Sequence, residues 1–480
     1  MTEHMDETNS PKHPLFVDLD GTLLKSDLLL ESAFALLKLN FLYVFLMPFW
    51  LAKGKANLKQ QIAQRVDLDV SLLPYHPDFL AFLRSQKAAG RRLVLATASH
   101  EKYAQAIADH LTLFDAVIAS SADLNLSGER KLQEILKQAD VFDYAGNAMV
   151  DLPIWKAALS ALVVNAEHGV LDRARDAGNV SQVFDDRVGH RAKPFIKAMR
   201  LHQWLKNALI FVPIVVTHSL ADIASDGVAF VAFIAFGLCA SSVYLLNDLL
   251  DLADDRKHAT KCMRPFAAGS VSIVHGTLLI PVLLIVAFLI SLALPTQFTM
   301  VLGIYYLITV SYSIRLKQAA LVDVMVLASL YTMRIIAGAA ALGTYPSFWL
   351  LTFSMFLFLS LALVKRYTEL LAMQERDNTT TSGRGYRAED INLLSQFGTT
   401  SACISILVLA LYINSNEILE LYSKPYIIWM LCPLTFYVIT RIWLLARRRE
   451  LDEDPVVFVI KDRRSQWLGV VAAILLWLAI

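Results

Sequence analysis

The sequence predicts an α/β domain built on a parallel sheet, followed by an all-α bundle of about nine transmembrane helices. Three observations predict it. The 480 residues are 56% hydrophobic with a mean hydropathy of +0.48, which requires part of the chain to lie in lipid. Roughly the first 200 residues are mixed and charge-rich, and the remainder is dominated by long apolar runs. Within the first part, short apolar strands alternate with helical stretches, the pattern of a parallel sheet with crossover helices.

The first strand is Leu15-Phe16-Val17, and further strand-like runs lie at 92–96, 115–119, 141–145 and 161–165. Parallel sheets bind ligands at the carboxyl ends of their strands. The polar motifs sit at such ends: Asp18 and Asp20 after the first strand, Thr97 after the second, and Asn147 with Asp151 after the fourth. The expected boundaries are a polar tail over 1–13, a domain over 14–175 with a cap at about 24–76, a linker over 176–196 and a membrane domain over 197–480. The tail has no apolar core of the signal-peptide kind. A net charge of +1 gives no reason to expect nucleic acid, and the four cysteines have neither metal-like spacing nor a disulfide framework.

Asp18-Leu19-Asp20-Gly21-Thr22 behind an apolar strand resembles the haloacid dehalogenase (HAD) phosphohydrolase superfamily over about 14–175. The resemblance implies that Asp18 is the nucleophile and Asp20 the acid that protonates the leaving oxygen. It implies that Thr97 holds phosphoryl oxygens and that Lys131 neutralises charge in the transition state. Asp18, Asp20, Asn147 and Asp151 would hold Mg²⁺, and the chemistry is covalent catalysis with electrostatic stabilisation. The superfamily's fourth motif usually reads G-D-x-x-x-D, and here Asn147 replaces its first acid. One negative charge is lost, which leaves open both turnover and phosphate binding without turnover. Residues 36–52 (LLKLNFLYVFLMPFWLA) fit a buried cap core or a segment in the membrane interface, where aromatic side chains are favoured.

Nine candidate spans lie at 206–218, 228–246, 272–294, 297–314, 320–342, 346–364, 397–415, 424–446 and 465–480. The first and last are short of the usual twenty or so residues. Lys and Arg crowd the segments 191–206, 247–270, 315–317, 365–387 and 447–464, which places those loops and the N-terminal domain in the cytoplasm.

Asn247-Asp248-Leu249-Leu250-Asp251-Leu252-Ala253-Asp254-Asp255 closes the second span. On a helix, Asp248, Asp251 and Asp255 fall within about 60° of one another. Three carboxylates on one face repel unless a cation sits between them, and oxygen donors suit Mg²⁺. Arg264-Pro265 and Gly269 follow, so acid and base meet as in a metal-bridged diphosphate site. Further polar groups occur at Gln203-Trp204-Leu205-Lys206-Asn207, at Tyr312-Ser313-Ile314-Arg315-Leu316-Lys317, at Lys365-Arg366 and at Asp452-Glu453-Asp454-Pro455. Arg334 lies inside an apolar run, about 16 Å deeper than Asp323 and nearly on the same helical face. An ionisable group there costs roughly 3 kcal/mol on insertion scales, so it is either functional or paired with a neighbouring carbonyl or acid.

These motifs are similar to those of the UbiA superfamily of intramembrane prenyltransferases, and within it to the decaprenyl-phosphate phosphoribosyltransferase branch. The D-x-x-x-D motif between later spans of the aromatic prenyltransferases is missing. The resemblance implies Mg²⁺ on Asp248, Asp251 and Asp255. It implies contacts to phosphoribosyl pyrophosphate and a polyprenyl phosphate from Gln203, Lys206, Asn247, Arg264, Tyr312, Lys317, Arg334, Lys365 and Arg366. The expectation is a multi-pass enzyme of the bacterial inner membrane that transfers 5-phosphoribose to the lipid, with the fused domain removing the 5-phosphate. An aromatic prenyltransferase and a single-activity transferase carrying a non-catalytic HAD module are the alternatives, and a homo-oligomer is left open.

Overall fold

The computed structural model describes residues 13–186, 192–216, 222–374, 385–451 and 454–480. Asp452, Glu453, the tail over 1–12 and the 187–191 part of the expected linker lie outside them. The chain divides into two compact units, Met1–Met199 with Leu245–Leu279, and Arg200–Tyr244 with Ile280–Ile480.

The first unit is built on a six-stranded parallel sheet in the order β3-β2-β1-β4-β5-β6. Its strands are β1 (Leu15–Val17), β2 (Leu93–His100), β3 (Ala116–Ser120), β4 (Asp143–Gly146), β5 (Ser160–Val164) and β6 (Val180–Phe184). The helices of the unit are α1 (Leu28–Leu39), α2 (Tyr43–Ala52), α3 (Lys55–Ala63), α4 (Pro77–Ala88), α5 (Glu101–Leu111), α6 (Glu129–Leu136), α7 (Leu152–Ala157), α8 (Val170–Asp176) and α9 (Ala192–Met199). Strand β1 is central, with Leu15 opposite both Leu93 and Asp143. Its alternation feeds two cores: Leu15 and Val17 pack with Leu93, Leu95 and Phe79, and Phe16 packs with Val94, Tyr144 and Trp155. Chain order reverses between β1 and β4, so the carboxyl end of β1 opens into the switch-point crevice. Strand β6 lies in the stretch expected to be linker. It is an edge strand with Ser181, Gln182 and Val183 exposed, so its sequence lacks the apolar run of a two-sided strand.

The cap begins at Asp27, whose carboxylate accepts from Leu30 N at 2.9 Å and starts α1. Helix α1 buries Ala33 and Leu36 against Leu58, Ile62 and Val66 of the α3 region. Helix α2 buries none of its ten residues, so a buried cap core does not account for Tyr43–Ala52.

The juxtamembrane segment joins this unit through charge. Arg256 donates to both carboxylate oxygens of Glu31, at 2.8 and 2.6 Å, and the two side chains are 7% and 4% exposed. Lys38 lies 2.7 Å from Asp254 and 3.3 Å from Asp251. Gly269 adopts φ +68°, and a Cβ there would stand 2.9 Å from Lys25 Cβ, so the loop needs a glycine to close on the α/β domain.

Beyond the α/β domain come α10 (Val212–Val216), α11 (Ile223–Leu250), α12 (Leu252–Lys257), α13 (Ile273–Ser291), α14 (Thr296–Ile314), α15 (Val322–Ala341), α16 (Phe348–Gln374), α17 (Ile391–Ile413), α18 (Asn416–Leu421), α19 (Pro425–Ile428), α20 (Leu431–Arg447), α21 (Pro455–Lys461) and α22 (Arg463–Ala479). Among the described residues seven helical segments are long and apolar enough to cross a membrane. They correspond to the second through eighth expected spans. The first expected span is instead a 3₁₀ segment, Leu201–Phe211, running into the five-residue α10. It carries Lys206 and Asn207 inward, and both are buried. The last is α22, whose 17 residues fall short of a full crossing.

In the second unit the helices approach closely where side chains are smallest. A Cβ on Gly338 would lie 2.0 Å from the carbonyl oxygen of Ile210. The substitution Gly338→Val is therefore expected to push α15 off the 3₁₀ segment. Thermal unfolding of the detergent-solubilised protein should show a fall of several degrees, consistent with overpacking costs of about 1–3 kcal/mol.

Candidate functional sites

The first site forms at the carboxyl ends of β1, β2 and β4. Lys131 is 2% exposed, and its Nζ donates to Asp18 Oδ1 and to the Tyr144 hydroxyl, both at 2.9 Å. The Tyr144 hydroxyl donates to Asp151 Oδ1 at 2.8 Å, and Asp151 also stands 3.7 Å from Lys131. The other oxygen of Asp151 accepts from the backbone N–H groups of Asn147 and Ala148, each at 3.1 Å. Asp151 thus orders the β4 loop and anchors the lysine. Burial works against the charge on Lys131, but Asp18 and Asp151 hold its ammonium above the ordinary range.

Asp20 accepts from Leu28 N at 2.9 Å and from the Ser99 hydroxyl. Burial, with Asp27 nearby, pushes its carboxyl up to about 7. Burial likewise raises Asp18 to about 6 against the pull of Lys131. A carboxyl that holds its proton near neutrality suits a general acid. Gly21, at φ +76°, makes the turn between the two aspartates, and a Cβ there would lie 2.1 Å from Asn147 Nδ2. Asn147 is thereby seated on the β1 loop, with the Thr22 hydroxyl donating to its Oδ1 at 3.3 Å. Thr97 is fully buried and accepts from Ser99 N at 3.0 Å. The cap adds Lys59, whose Nζ donates to the Ala98 carbonyl and to Asn125. Burial lowers that lysine's affinity for its proton, and Asp20 and Asp27 oppose the effect. Ser99, Tyr144 and Lys59 were not expected from the sequence, because each acts through a contact made only when distant segments meet.

The second cluster is the juxtamembrane acid. The helix breaks at Asp251 (φ −99°, ψ 13°) and resumes as α12, with the Asn247-to-Asp251 and Asp251-to-Asp255 backbone bonds retained. Asp248 and Asp255, seven residues apart and nearly eclipsed on a helix, both accept from Arg264 Nη1, at 3.1 and 2.7 Å. Asp251, rotated from them, meets Lys38 instead. Burial raises Asp255 above the usual carboxylate range even with Arg264 beside it. Asn247 is half-buried on the same helix. Among the described residues no group of three or more His, Cys, Asp or Glu side chains is assembled as a metal cage. The oxygen-only donors nevertheless match a hard cation. Asp248 and Asp255 already converge on one positive charge, and Asp18 with the amide oxygen of Asn147 would serve at the first site.

The third cluster lies in the second unit and carries excess positive charge. Lys206 and Lys365 share one oxygen of Asp454, at 2.8 and 3.1 Å. The other oxygen accepts from the Tyr331 hydroxyl at 3.3 Å. Arg334 is 5% exposed and among the described residues donates to neutral acceptors: Asn207 Oδ1 at 2.9 Å, the Leu330 carbonyl and the Tyr305 hydroxyl at 3.3 Å. Its guanidinium stands 5.3–5.6 Å from the ring centres of Phe236, Tyr305 and Tyr331. Such cation–π contacts supply about 0.5–2 kcal/mol each. Asn207 Nδ2 is buried with no acceptor among the described residues. Among the described residues Lys206, Lys365 and Arg334 stand with Asp454 while Glu369 is taken by Arg366, and with the orphaned donor they describe a cradle for an anion. Asn207, Tyr305 and Tyr331 escaped the sequence reading because each looks like span filler until the helices pack.

Arg366 serves differently. It is 1% exposed and donates to both oxygens of Asp323, to Glu369 and to the Tyr312 hydroxyl. The Tyr312 hydroxyl in turn donates to Asp323 at 2.7 Å. Tyr312 and Arg366 therefore form an internal lock rather than an open anion contact. Gln203 is half-buried on the 3₁₀ segment, and Lys317 is half-buried in the turn after α14.

Residues 210–477, more than half of the chain, match the family model described as "UbiA prenyltransferase family". The chain belongs to the UbiA prenyltransferase family. Residues 15–154 match the model of haloacid dehalogenase-like hydrolases, so the N-terminal domain is HAD-like. This UbiA protein is 38% identical to the uncharacterized protein y4nM of Sinorhizobium fredii, over 96% of this chain and 90% of that one. It is 29% identical to the nodulation protein NoeC of Azorhizobium caulinodans, over 56% of this chain and 88% of that one. It is also 29% identical to the decaprenyl-phosphate phosphoribosyltransferase of Mycolicibacterium smegmatis, over 58% of this chain and 91% of that one. Membership in the family and the apolar helices make it a multi-pass membrane protein, and both domains support an enzyme.

Two substitutions separate structural charge from working charge. Lys131→Met leaves Asp18 and Asp151 buried without a cation. It should destabilise the α/β unit by about 3–5 kcal/mol, seen as an earlier unfolding transition. Arg366→Leu should cost a similar amount, and adding Asp323→Leu should recover much of it. An unchanged melting temperature together with a raised KM would show Arg366 to be a substrate ligand instead.

Proposed function

We propose that this UbiA protein transfers 5-phosphoribose from phosphoribosyl pyrophosphate to a polyprenyl phosphate, and that its HAD-like domain then removes the 5-phosphate. The observation that carries the reading is the anion cradle of Lys206, Lys365 and Arg334 with the orphaned amide of Asn207. The resemblance to a named decaprenyl-phosphate phosphoribosyltransferase supports it.

In the transfer step, the bond from C1 of ribose to the pyrophosphate oxygen breaks and pyrophosphate leaves. An oxygen of the lipid phosphate, already anionic at neutral pH, forms the new bond to C1, so no protein base is required. The acidic helix end (Asp248, Asp251, Asp255) is assigned to the donor's diphosphate, where bound Mg²⁺ would supply charge neutralisation of the leaving group. Arg264 would add a guanidinium to the same diphosphate. Lys206, Lys365 and Arg334 are assigned to phosphate oxygens, and Asp454 holds the two lysines apart and in place.

In the second step, Asp18 attacks the phosphorus of the ribose 5-phosphate while Lys131 offsets the charge. Asp20 gives its proton to the departing ribose oxygen, and water then releases phosphate from Asp18. Thr97 and the Asn147 loop would hold the phosphoryl group. The basic loops support a topology with the HAD-like domain on the cytoplasmic side, and we assign the protein to a bacterial inner membrane.

Membranes containing the protein, given phosphoribosyl pyrophosphate labelled in the ribose and polyprenyl phosphate, are expected to yield labelled lipid. Lys206→Met and Asp248→Asn should each lower the yield by about 100-fold, the usual cost of removing one preorganised charge contact. With Asp18→Asn, labelled lipid should still form but keep its 5-phosphate. Product from an aromatic acceptor and a prenyl diphosphate, without labelled lipid, would overturn the transferase reading. Equal phosphate release by wild type and Asp18→Asn would leave the HAD-like domain a binding module.

A further inference from the structure

Helix α2 is an apolar surface left open on an otherwise ordinary α/β domain. None of its ten residues is buried, and none of them is charged. With the end of α1 and the turn between them, it exposes Leu39, Leu42, Phe45, Leu46, Phe49 and Leu51 by 45–69% each. A helix facing water on one side keeps a polar face, whereas one that is apolar all round belongs in a core or in lipid. Its length, about 15 Å, is half a hydrocarbon core, so it cannot cross. Tyr43, Met47 and Trp50 turn toward the cap core, whereas the exposed Phe45 and Phe49 are side chains of the interfacial depth. Lys53 and Lys55 follow, both exposed, where lipid phosphates would meet them.

The covering surface is identified by where this hairpin is tied. Lys38, immediately before the apolar stretch, is 3.3 Å from Asp251 and 2.7 Å from Asp254. Asp251 is the first residue after α11, a helix of 28 residues that is long and apolar enough to span a bilayer. The buried pair of Glu31 and Arg256 fixes the rest of α1 to the same exit segment. The apolar stretch therefore begins one residue from a side chain held at the point where the chain leaves the membrane. We propose that residues 39–52 lie in the boundary between headgroups and acyl chains of the bilayer, on the side where α11 ends, and seat the cap of the HAD-like domain on the lipid surface. This does not depend on which reaction either site performs.

The full-length protein, with Cys239, Cys262, Cys403 and Cys432 replaced, would carry a single cysteine through Phe45→Cys or Phe49→Cys. Each would bear an environment-sensitive fluorophore in nanodiscs of neutral and anionic phospholipid. Lys137→Cys on the exposed end of α6 and Leu278→Cys on the exposed face of α13 are the water and lipid references. The expected result is blue-shifted emission at 45 and 49, with at least half of it quenched by lipids doxyl-labelled near the headgroup, as at 278 and unlike 137. Water-like emission at both positions would overturn the proposal. So would a blue shift without lipid quenching, which would show a second copy or another protein covering the helix.

Discussion

Charge removed from water has to be met by opposite charge, and in this protein that requirement organises both compact units. Lys131 sits between Asp18 and Asp151, Arg264 between Asp248 and Asp255, Arg256 against Glu31, Arg366 against Asp323, and Asp454 between two lysines. Pairs of this kind add little net stability over apolar packing, but losing one partner strands the other at a cost of several kcal/mol. They therefore act as constraints on geometry. Each fixes where a loop or helix end can go, and the functional groups are carried along.

The same requirement separates the closed ion pairs from the open ones. Arg366 is satisfied by Asp323, Glu369 and Tyr312, and its charge is spent inside the protein. Arg334 has no carboxylate among the described residues and is held by an amide oxygen, a carbonyl, a phenol and three rings. Two buried arginines, Arg334 inside an apolar run and Arg366 in the basic segment that follows one, thus differ in what they can offer a ligand. The difference lies in their neighbours and not in their burial, which is nearly the same.

The α/β unit shows how far the alternation of residues carries. Strands β1 to β5, with Asp18 and Asn147 on the loops after β1 and β4 and Thr97 in the last part of β2, follow from apolar runs ending in polar residues. Strand β6 was not legible, because an edge strand needs only one buried face. Asp151 was legible as a site residue but not in its manner of acting. Its oxygens are taken by two backbone N–H groups and a tyrosine hydroxyl, and such bonds depend on how the loop closes. In the membrane domain, hydropathy located the seven helical segments that, among the described residues, are long and apolar enough to cross. It did not foresee that the Lys206 segment would wind as 3₁₀ and turn its cation inward.

The sequence by itself determined the two-domain organisation, the strand ends that carry the phosphatase-like residues, the crossing helices and the acidic helix end. All of these are local patterns, set by a period of two or 3.6 residues or by the run of apolar residues that lipid requires. Only the tertiary structure decided which cation meets which carboxylate. It drew the segment Leu245–Leu279 into the α/β unit through Glu31 and Arg256, 225 residues apart along the chain. It gave Asp251 to Lys38 while Asp248 and Asp255 kept Arg264, and it left the outer face of helix α2 uncovered. The physical reason is that an ion pair depends on distance in space, for which periodicity along the chain carries no information.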